Sequence, residues 1–121
     1  MHLGYVVLYV KDAEACLKFW TEKVGMVSKG SKSAGPFEIH KVGFEGQRFS
    51  FELVPLDLMK NNPDGLDLAT PSIAFNSEDL VATRESLISA GIEAMEIGNH
   101  GGVESFAFPD NEGRWFAVVK A

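Results

Sequence analysis

Three pairs of residues in this chain keep one spacing. Asp12 and Asp79, each in front of a helix-forming stretch, stand 67 residues apart. Gly25 and Gly91, each closing such a stretch, stand 66 apart. Gly46 and Gly113, each in a turn ahead of an apolar strand, again stand 67 apart. A period this long exceeds the roughly 20–50 residues of solenoid and propeller repeats. It predicts a duplicated module, and so constrains the fold more than any single motif does.

The elements between these landmarks repeat as well. "LGYVVLYV" (3–10) is β-branched and aromatic and reads as a strand. Asp12 is a suitable N-cap for the helix "AEACLKFWTEKV", which puts Ala13, Leu17, Trp20 and Val24 on one stripe before Gly25 ends it. "MVSKGSKSAG" reads as a weak strand running into a loop, and "FEIHKVGF" and "FSFELV" as strands joined by the turn "EGQR". The turn-rich stretch 55–70, with Pro55 and Pro63, reads as a linker. The order then begins again. "PSIAFN" is a strand, and "SEDLVATRESLISA" a helix with Leu80, Leu87 and Ile88 inward. "IEAMEI" is a strand and "GNHGG" a turn, followed by the strands "VESFAF" and "RWFAVV". Each half is βαβββ: module one 1–54, linker 55–70, module two 71–121, together one domain. The predicted class is α+β, with a curved eight-stranded mixed sheet around a cleft and the helices on its outer face.

Bulk properties narrow the function classes. With 45% apolar and 23% charged residues in 121, the chain has a normal globular balance. A net charge of −6 and a pI near 5.0 argue against a nucleic-acid footprint. No apolar run reaches the roughly 20 residues of a membrane span, and the N-terminus does not have the form of a secretory signal. The single cysteine, Cys16, rules out an internal disulfide and suits a buried apolar position. A reducing cytoplasm is the expected location.

One helix per module covers one face of a four-stranded sheet, so the other face meets another layer or encloses a ligand. Period-two alternation assigns the faces. Val6, Leu8 and Val10 belong under the helix, while Tyr5, Val7 and Tyr9 face the cleft. Ser50 and Glu52 oppose Phe49, Phe51 and Leu53; Ser72 and Ala74 oppose Ile73 and Phe75; Trp115 and Ala117 oppose Phe116 and Val118. His40 shares a face with Glu38 and Val42, and is a further candidate for the cleft. The candidate ligand-binding set is therefore Tyr5, Tyr9, His40, Ser50, Glu52, Ser72 and Trp115.

"YVVLYVKDAEACLKFWTEKVGM", "SIAFNSEDLVATRESLISAGI" and "FAFPDNEGRWFAVV" together resemble the vicinal oxygen chelate superfamily, the group of glyoxalase I, bleomycin-resistance proteins and extradiol dioxygenases. The first resembles that family's opening strand and helix, the second the opening of its second module, and the third its closing hairpin. The resemblance implies that metal-dependent members hold one divalent ion through up to four side chains of histidine and carboxylate type, a donor set suited to Fe, Ni, Zn or Mn. Those positions fall on Tyr5, Glu52, Ser72 and Ala117 here, and only Glu52 keeps ligand chemistry. No metal and no cofactor is expected. His2 sits near the terminus on the other strand face from Tyr5, and His100 lies in the "GNHGG" turn, solvated or at a ligand rim.

Glu52 then has two readings. It is a structural carboxylate hydrogen-bonded within the core, or it serves a ligand by recognising an amine or acting as a base. Three functions follow from the resemblance. The first is a metal-free binding module that sequesters a drug or metabolite, working as a homodimer. The second is a divergent lyase, isomerase or dioxygenase with a displaced metal or acid–base chemistry. The third is a partner-binding domain with an empty cleft. Small-molecule partners are expected, and neither nucleic acid nor membrane.

Overall fold

The structure, a computed structural model, describes residues 1–62 and 64–121, so Pro63 of the expected linker lies outside the described residues. It divides into two compact units, Met1–Thr70 and Pro71–Ala121. In the first, β1 (Val6–Val10), α1 (Ala13–Lys18), β2 (Val27–Ala34), β3 (Phe37–Gly43) and β4 (Phe51–Pro55) follow in order. In the second the order is β5 (Ala74–Ser77), α2 (Leu80–Ser89), β6 (Gly98–His100), β7 (Val103–Pro109) and β8 (Trp115–Lys120). Each unit is thus βαβββ, and the fold is α+β.

The strands form two four-stranded mixed sheets of identical topology, β1-β4-β3-β2 and β5-β8-β7-β6. In each, the first strand runs parallel to the fourth and the remaining pairs are antiparallel. The shared spacing has a backbone cause. Asp12 and Asp79 are both helix N-caps, with φ/ψ of −133°/97° and −130°/90°. Their carboxylates accept hydrogen bonds from the N–H groups of Ala15 and Ala82, both at 3.0 Å. Gly25 and Gly91 leave their helices at φ 94° and 91°, and Gly46 and Gly113 turn their hairpins at φ 80° and 81°. All four occupy the left-handed region, which costs glycine nothing and other residues about 1–2 kcal/mol.

Each core lies between a helix and one face of its sheet. In the first unit Ala13, Cys16 and Trp20 of the helix pack over Leu8, Val10, Phe51 and Leu53, all buried. The ring of Trp20 meets Phe51 edge-on at 5.2 Å. The helix widens into a π turn over Phe19–Val24, where the adjacent Phe19 and Trp20 are both buried. Leu17, expected on the inner stripe, is only half-buried. In the second unit Phe108 and Phe116 stack at 5.7 Å, with Phe75 6.1 Å from each. Leu80 and Leu87 are buried as expected, but Ile88 is 43% exposed, since the inner stripe of α2 runs from Leu80 to Leu87 through the half-buried Thr83 and Arg84.

Several boundaries differ from the sequence pattern. β1 starts at Val6 and β5 at Ala74, which leaves Tyr5 and Ser72 just ahead of their strands. β2 is a full eight-residue strand, paired with β3 on one side and bulged between Ser28 and Gly30. As the edge strand it needs no apolar alternation, so its Ser, Lys and Gly content hid it. The strand expected over 92–97 is absent. Gly98–His100 of the expected turn is itself β6, and the reversal tightens to Gly101 and Gly102 at φ 61° and 86°. Two consecutive positive φ values make the hairpin turn that matches strand twist.

Candidate functional site

The helix-free face of the first sheet gathers the ionisable groups. Register places Val7 of β1 beside Glu52 of β4, and Glu52 beside Lys41 of β3. Lys32 of β2 is paired with Ile39, one step along the same face. Glu52 is 6% exposed, which is unusual for a carboxylate. Its Oε2 lies 3.8 Å from the Lys32 ammonium and 3.9 Å from that of Lys41. Those separations are ion pairs without being hydrogen bonds. Among the described residues nothing donates a hydrogen bond to Oε2, although the atom is buried. Around it lies an open depression of about 230 Å³, lined by Lys29, Gly30, Ser31, Lys32, Ile39, Lys41 and Glu52.

Tyr5 is tied to this group, since the Lys41 ammonium sits 4.1 Å from the centroid of its ring. Tyr9 follows on the same strand face by parity and is half-buried. Ser50 is buried, and its carbonyl accepts from Val6 N–H at 3.1 Å.

His40 does not join them. Register pairs it with Leu53, so it occupies the opposite, helix-covered face. Its Nε2 is 2.6 Å from Glu14 Oε1 of α1, and its Nδ1 is 2.7 Å from Ser31 Oγ. Both ring nitrogens are engaged at 6% exposure, so His40 bolts α1 to the sheet. Cys16 is fully buried in the same layer. His2 and His100 are exposed.

In the second unit the corresponding face carries no ionisable row. Val7 is matched 67 residues later by Ala74, which pairs with Ala117, which in turn pairs with Ala107. Trp115 on this face is 54% exposed, and Ser72 is exposed ahead of β5. The ion pairs described in this unit lie in the closing hairpin instead. Asp110, whose side chain is 0% exposed, accepts from the N–H groups of Glu112 and Arg114 at 2.9 Å and from Arg114 Nη1 at 3.0 Å. Arg114 Nη2 donates to Glu112 Oε1 at 3.0 Å. Burial pulls the Arg114 guanidinium down, but the two carboxylates outweigh it and hold it above its ordinary value. The acidic turn of this hairpin is therefore a closed ion network.

Residues 2–118 match the family described as the Glyoxalase/Bleomycin resistance protein/Dioxygenase superfamily. The chain belongs to that superfamily. It is 30% identical over 118 residues to the uncharacterized protein YetH of Bacillus subtilis (strain 168), covering 96% of this chain and 95% of YetH. Two solved structures share the fold. TnmS3, an antibiotic binding protein from Streptomyces sp. CB03234, has a TM-score of 0.81 at 18% identity, over 99% of this chain and 95% of its own. A superfamily member from Sphaerobacter thermophilus DSM 20745 has a TM-score of 0.80 at 16% identity, over 100% and 98%.

The superfamily's metal chemistry can be tested against these side chains. In the first unit the two corresponding positions are Tyr5 and Glu52, and both are engaged by the Lys41 ammonium. A divalent ion at Glu52 would meet two ammonium groups within a few ångströms of its ligand oxygen. In the second unit the positions are Ser72 and Ala117, one a weak donor and the other none. Among the described residues no three His, Cys, Asp or Glu side chains cluster as a metal set. These residues do not fit the ion. Nor is any described helix long and apolar enough to cross a membrane.

The lysines were missed from the sequence although a signal for them was present. A hairpin folded symmetrically about "EGQR" (45–48) pairs Lys41 with Glu52, as the register does. That folding also sends His40 to the far side.

Proposed function

We propose that this protein binds a small molecule without a metal, with Glu52 as the polar anchor of the site and Tyr5, Tyr9 and Ser50 around it. The observation that carries the reading is a buried Glu52 whose Oε2 accepts no hydrogen bond among the described residues, on a side chain that belongs to the lining of an open depression. An unsatisfied buried acceptor costs about 1–3 kcal/mol, and a donor from a ligand removes that cost. The reading is supported by membership of a superfamily in which TnmS3, of the same fold, is an antibiotic binding protein. The lysines beside Glu52 support the absence of a metal. Ser72 and Trp115 belong to the second unit, where both are exposed. The reading includes a cytoplasmic homodimer, which light scattering at micromolar concentration tests, a stable monomer being the refuting result.

Replacing Glu52 by Gln tests the anchor. Ligands found by thermal-shift screening should bind Glu52→Gln about tenfold more weakly, equivalent to about 1.4 kcal/mol, with the melting temperature little changed. A lowered melting temperature with unchanged affinity makes Glu52 a core residue and removes the site. Elemental analysis of untagged protein should find no stoichiometric Fe, Ni, Zn or Mn. One ion per chain, lost in Glu52→Gln, overturns the metal-free reading.

A further inference from the structure

The charges around Glu52 define what it can anchor. Three lysines, Lys29, Lys32 and Lys41, line the depression against one carboxylate. Lys29 donates to the carbonyl of Gln47, a neutral partner that leaves its charge uncompensated. The depression therefore carries a surplus of positive charge on a chain whose net charge is −6. An amine approaching Glu52 has to pass Lys32 and Lys41, which already stand 3.8 and 3.9 Å from the oxygen it seeks. Like charges that close repel by several times the thermal energy unless water screens them. An amine, one of the readings open for Glu52 from the sequence, is thus opposed by the neighbouring lysines.

What the depression lacks is specific. Oε2 of Glu52 lacks a hydrogen-bond donor, and the ammonium groups of Lys32 and Lys41 stand beyond hydrogen-bond reach of it. One molecule supplies both needs if it carries an O–H donor for Glu52 and an anionic oxygen for the lysines. Ile39 is the apolar side chain of the lining, and the Lys41 ammonium rests over the ring of Tyr5, so a planar apolar body suits the remainder. We propose that the ligand class of this site is a hydroxylated organic anion, a hydroxy-substituted aromatic or aliphatic carboxylate, whose hydroxyl donates to Glu52 while its carboxylate meets Lys32 and Lys41. This rests on the reading of Glu52 as a ligand anchor and adds the charge and donor pattern of what it holds.

Three matched probes test it: 3-hydroxybenzoate, benzoate and 3-hydroxybenzylamine, titrated by calorimetry and ligand-observed NMR into the full chain, Glu52→Gln and Lys32→Met/Lys41→Met. In the unsubstituted protein 3-hydroxybenzoate should bind about tenfold tighter than benzoate, and the amine not measurably at the same concentrations. Raising salt from 50 to 500 mM, chosen as roughly a threefold change in screening length, should weaken the hydroxy acid. Glu52→Gln should tighten benzoate, because a negative charge is gone, while the advantage of the hydroxyl shrinks. The double lysine variant should lose both acids. Tightest binding by the amine, abolished in Glu52→Gln, overturns the anionic class and leaves Glu52 an anchor. Failure of all three probes to bind at millimolar concentration overturns the class. Probe affinities unmoved by Glu52→Gln, with a lowered melting temperature, overturn both the class and the anchor.

Discussion

The two sheets share one topology and carry opposite loads on corresponding faces. Across the first runs the row Val7, Glu52, Lys41; across the second, the row Ala74, Ala117, Ala107. Strand order, parallel pairing, capping aspartates and turn glycines are the same in both. The difference shows which features belong to the backbone and which to chemistry. Caps and left-handed glycines fix where the chain turns, so they recur at one spacing. Side chains on a face without a helix are not needed for the core, so one copy keeps a buried carboxylate beside two lysines and the other has three alanines in the matching row. Ionic structure in the second unit has moved to its hairpin, where Asp110, Glu112 and Arg114 satisfy one another.

The sharpest way to break this contrast is to remove Asp110. Its carboxylate is wholly enclosed, so Asp110→Ala leaves two backbone N–H groups and Arg114 Nη1 without their acceptor, while Nη2 keeps Glu112. The expected loss is about 3–5 kcal/mol, a large part of the roughly 5–15 kcal/mol that holds a domain together. Asp110→Asn keeps an acceptor oxygen for the N–H groups and should cost less. Because Arg114 is held above its ordinary value, its contribution is complete below that value and disappears only in strong alkali. Urea unfolding across neutral pH should therefore show no Arg114-linked change in stability. A loss below about 1 kcal/mol for Asp110→Ala would make the network a surface ornament.

A transplant sharpens the contrast from the other side. Ala117→Glu puts a carboxylate where Glu52 sits in the first sheet, and Ala107→Lys puts the neighbouring ammonium beside it. Alone, the glutamate should cost about 1–3 kcal/mol, as a half-buried charge without a partner. With the lysine opposite, about 0.5–1 kcal/mol should return, measurable as the coupling term of a double-mutant cycle. No coupling would mean that the two positions do not share a face, and the proposed equivalence of the rows would fall.

How far the sequence reveals these features depends on what each residue answers to. Asp12, Gly25, Gly46 and their partners answer to local backbone conformation, so they were readable together with the βαβββ order. The burial of Trp20 followed from helical spacing, and that of Cys16 from its small apolar side chain. β2 was obscured because an edge strand owes nothing to apolar alternation, and β6 because its pairing depends on the two-glycine turn beyond it. His40 was assigned to the wrong company because parity fixes which residues share a face without saying which face holds the helix. Only the β3–β4 register decides that, and it sends Lys41 to Glu52 and His40 to Glu14. The unsatisfied oxygen of Glu52 is a matter of a few tenths of an ångström in lysine placement, which no pattern of residue types encodes.

The capping aspartates offer the gentlest test, and it bears on the duplication itself. Asp12 and Asp79 have nearly the same φ/ψ and accept the same hydrogen bond at the same length. Each is the first landmark of its module. Asp→Ala at an N-cap costs about 0.5–2 kcal/mol, typically about 1, because an N–H of the first helical turn loses its acceptor. The two single substitutions should therefore lower stability by similar amounts, each within a few tenths of 1 kcal/mol of the other. Asp→Asn at either site keeps the acceptor for the cap and should cost less than Asp→Ala. Melting of the four variants, followed by circular dichroism, reads these differences as shifts of a few degrees, at roughly 3–6 °C per kcal/mol for a chain of this length. If Asp12→Ala costs several times as much as Asp79→Ala, and Asp12→Asn costs nearly as much again, then Asp12 acts through its charge on a partner beyond the cap. In that case the equal spacing reflects shared backbone geometry without shared energetics, and the two modules have diverged at their caps as well as on their open faces.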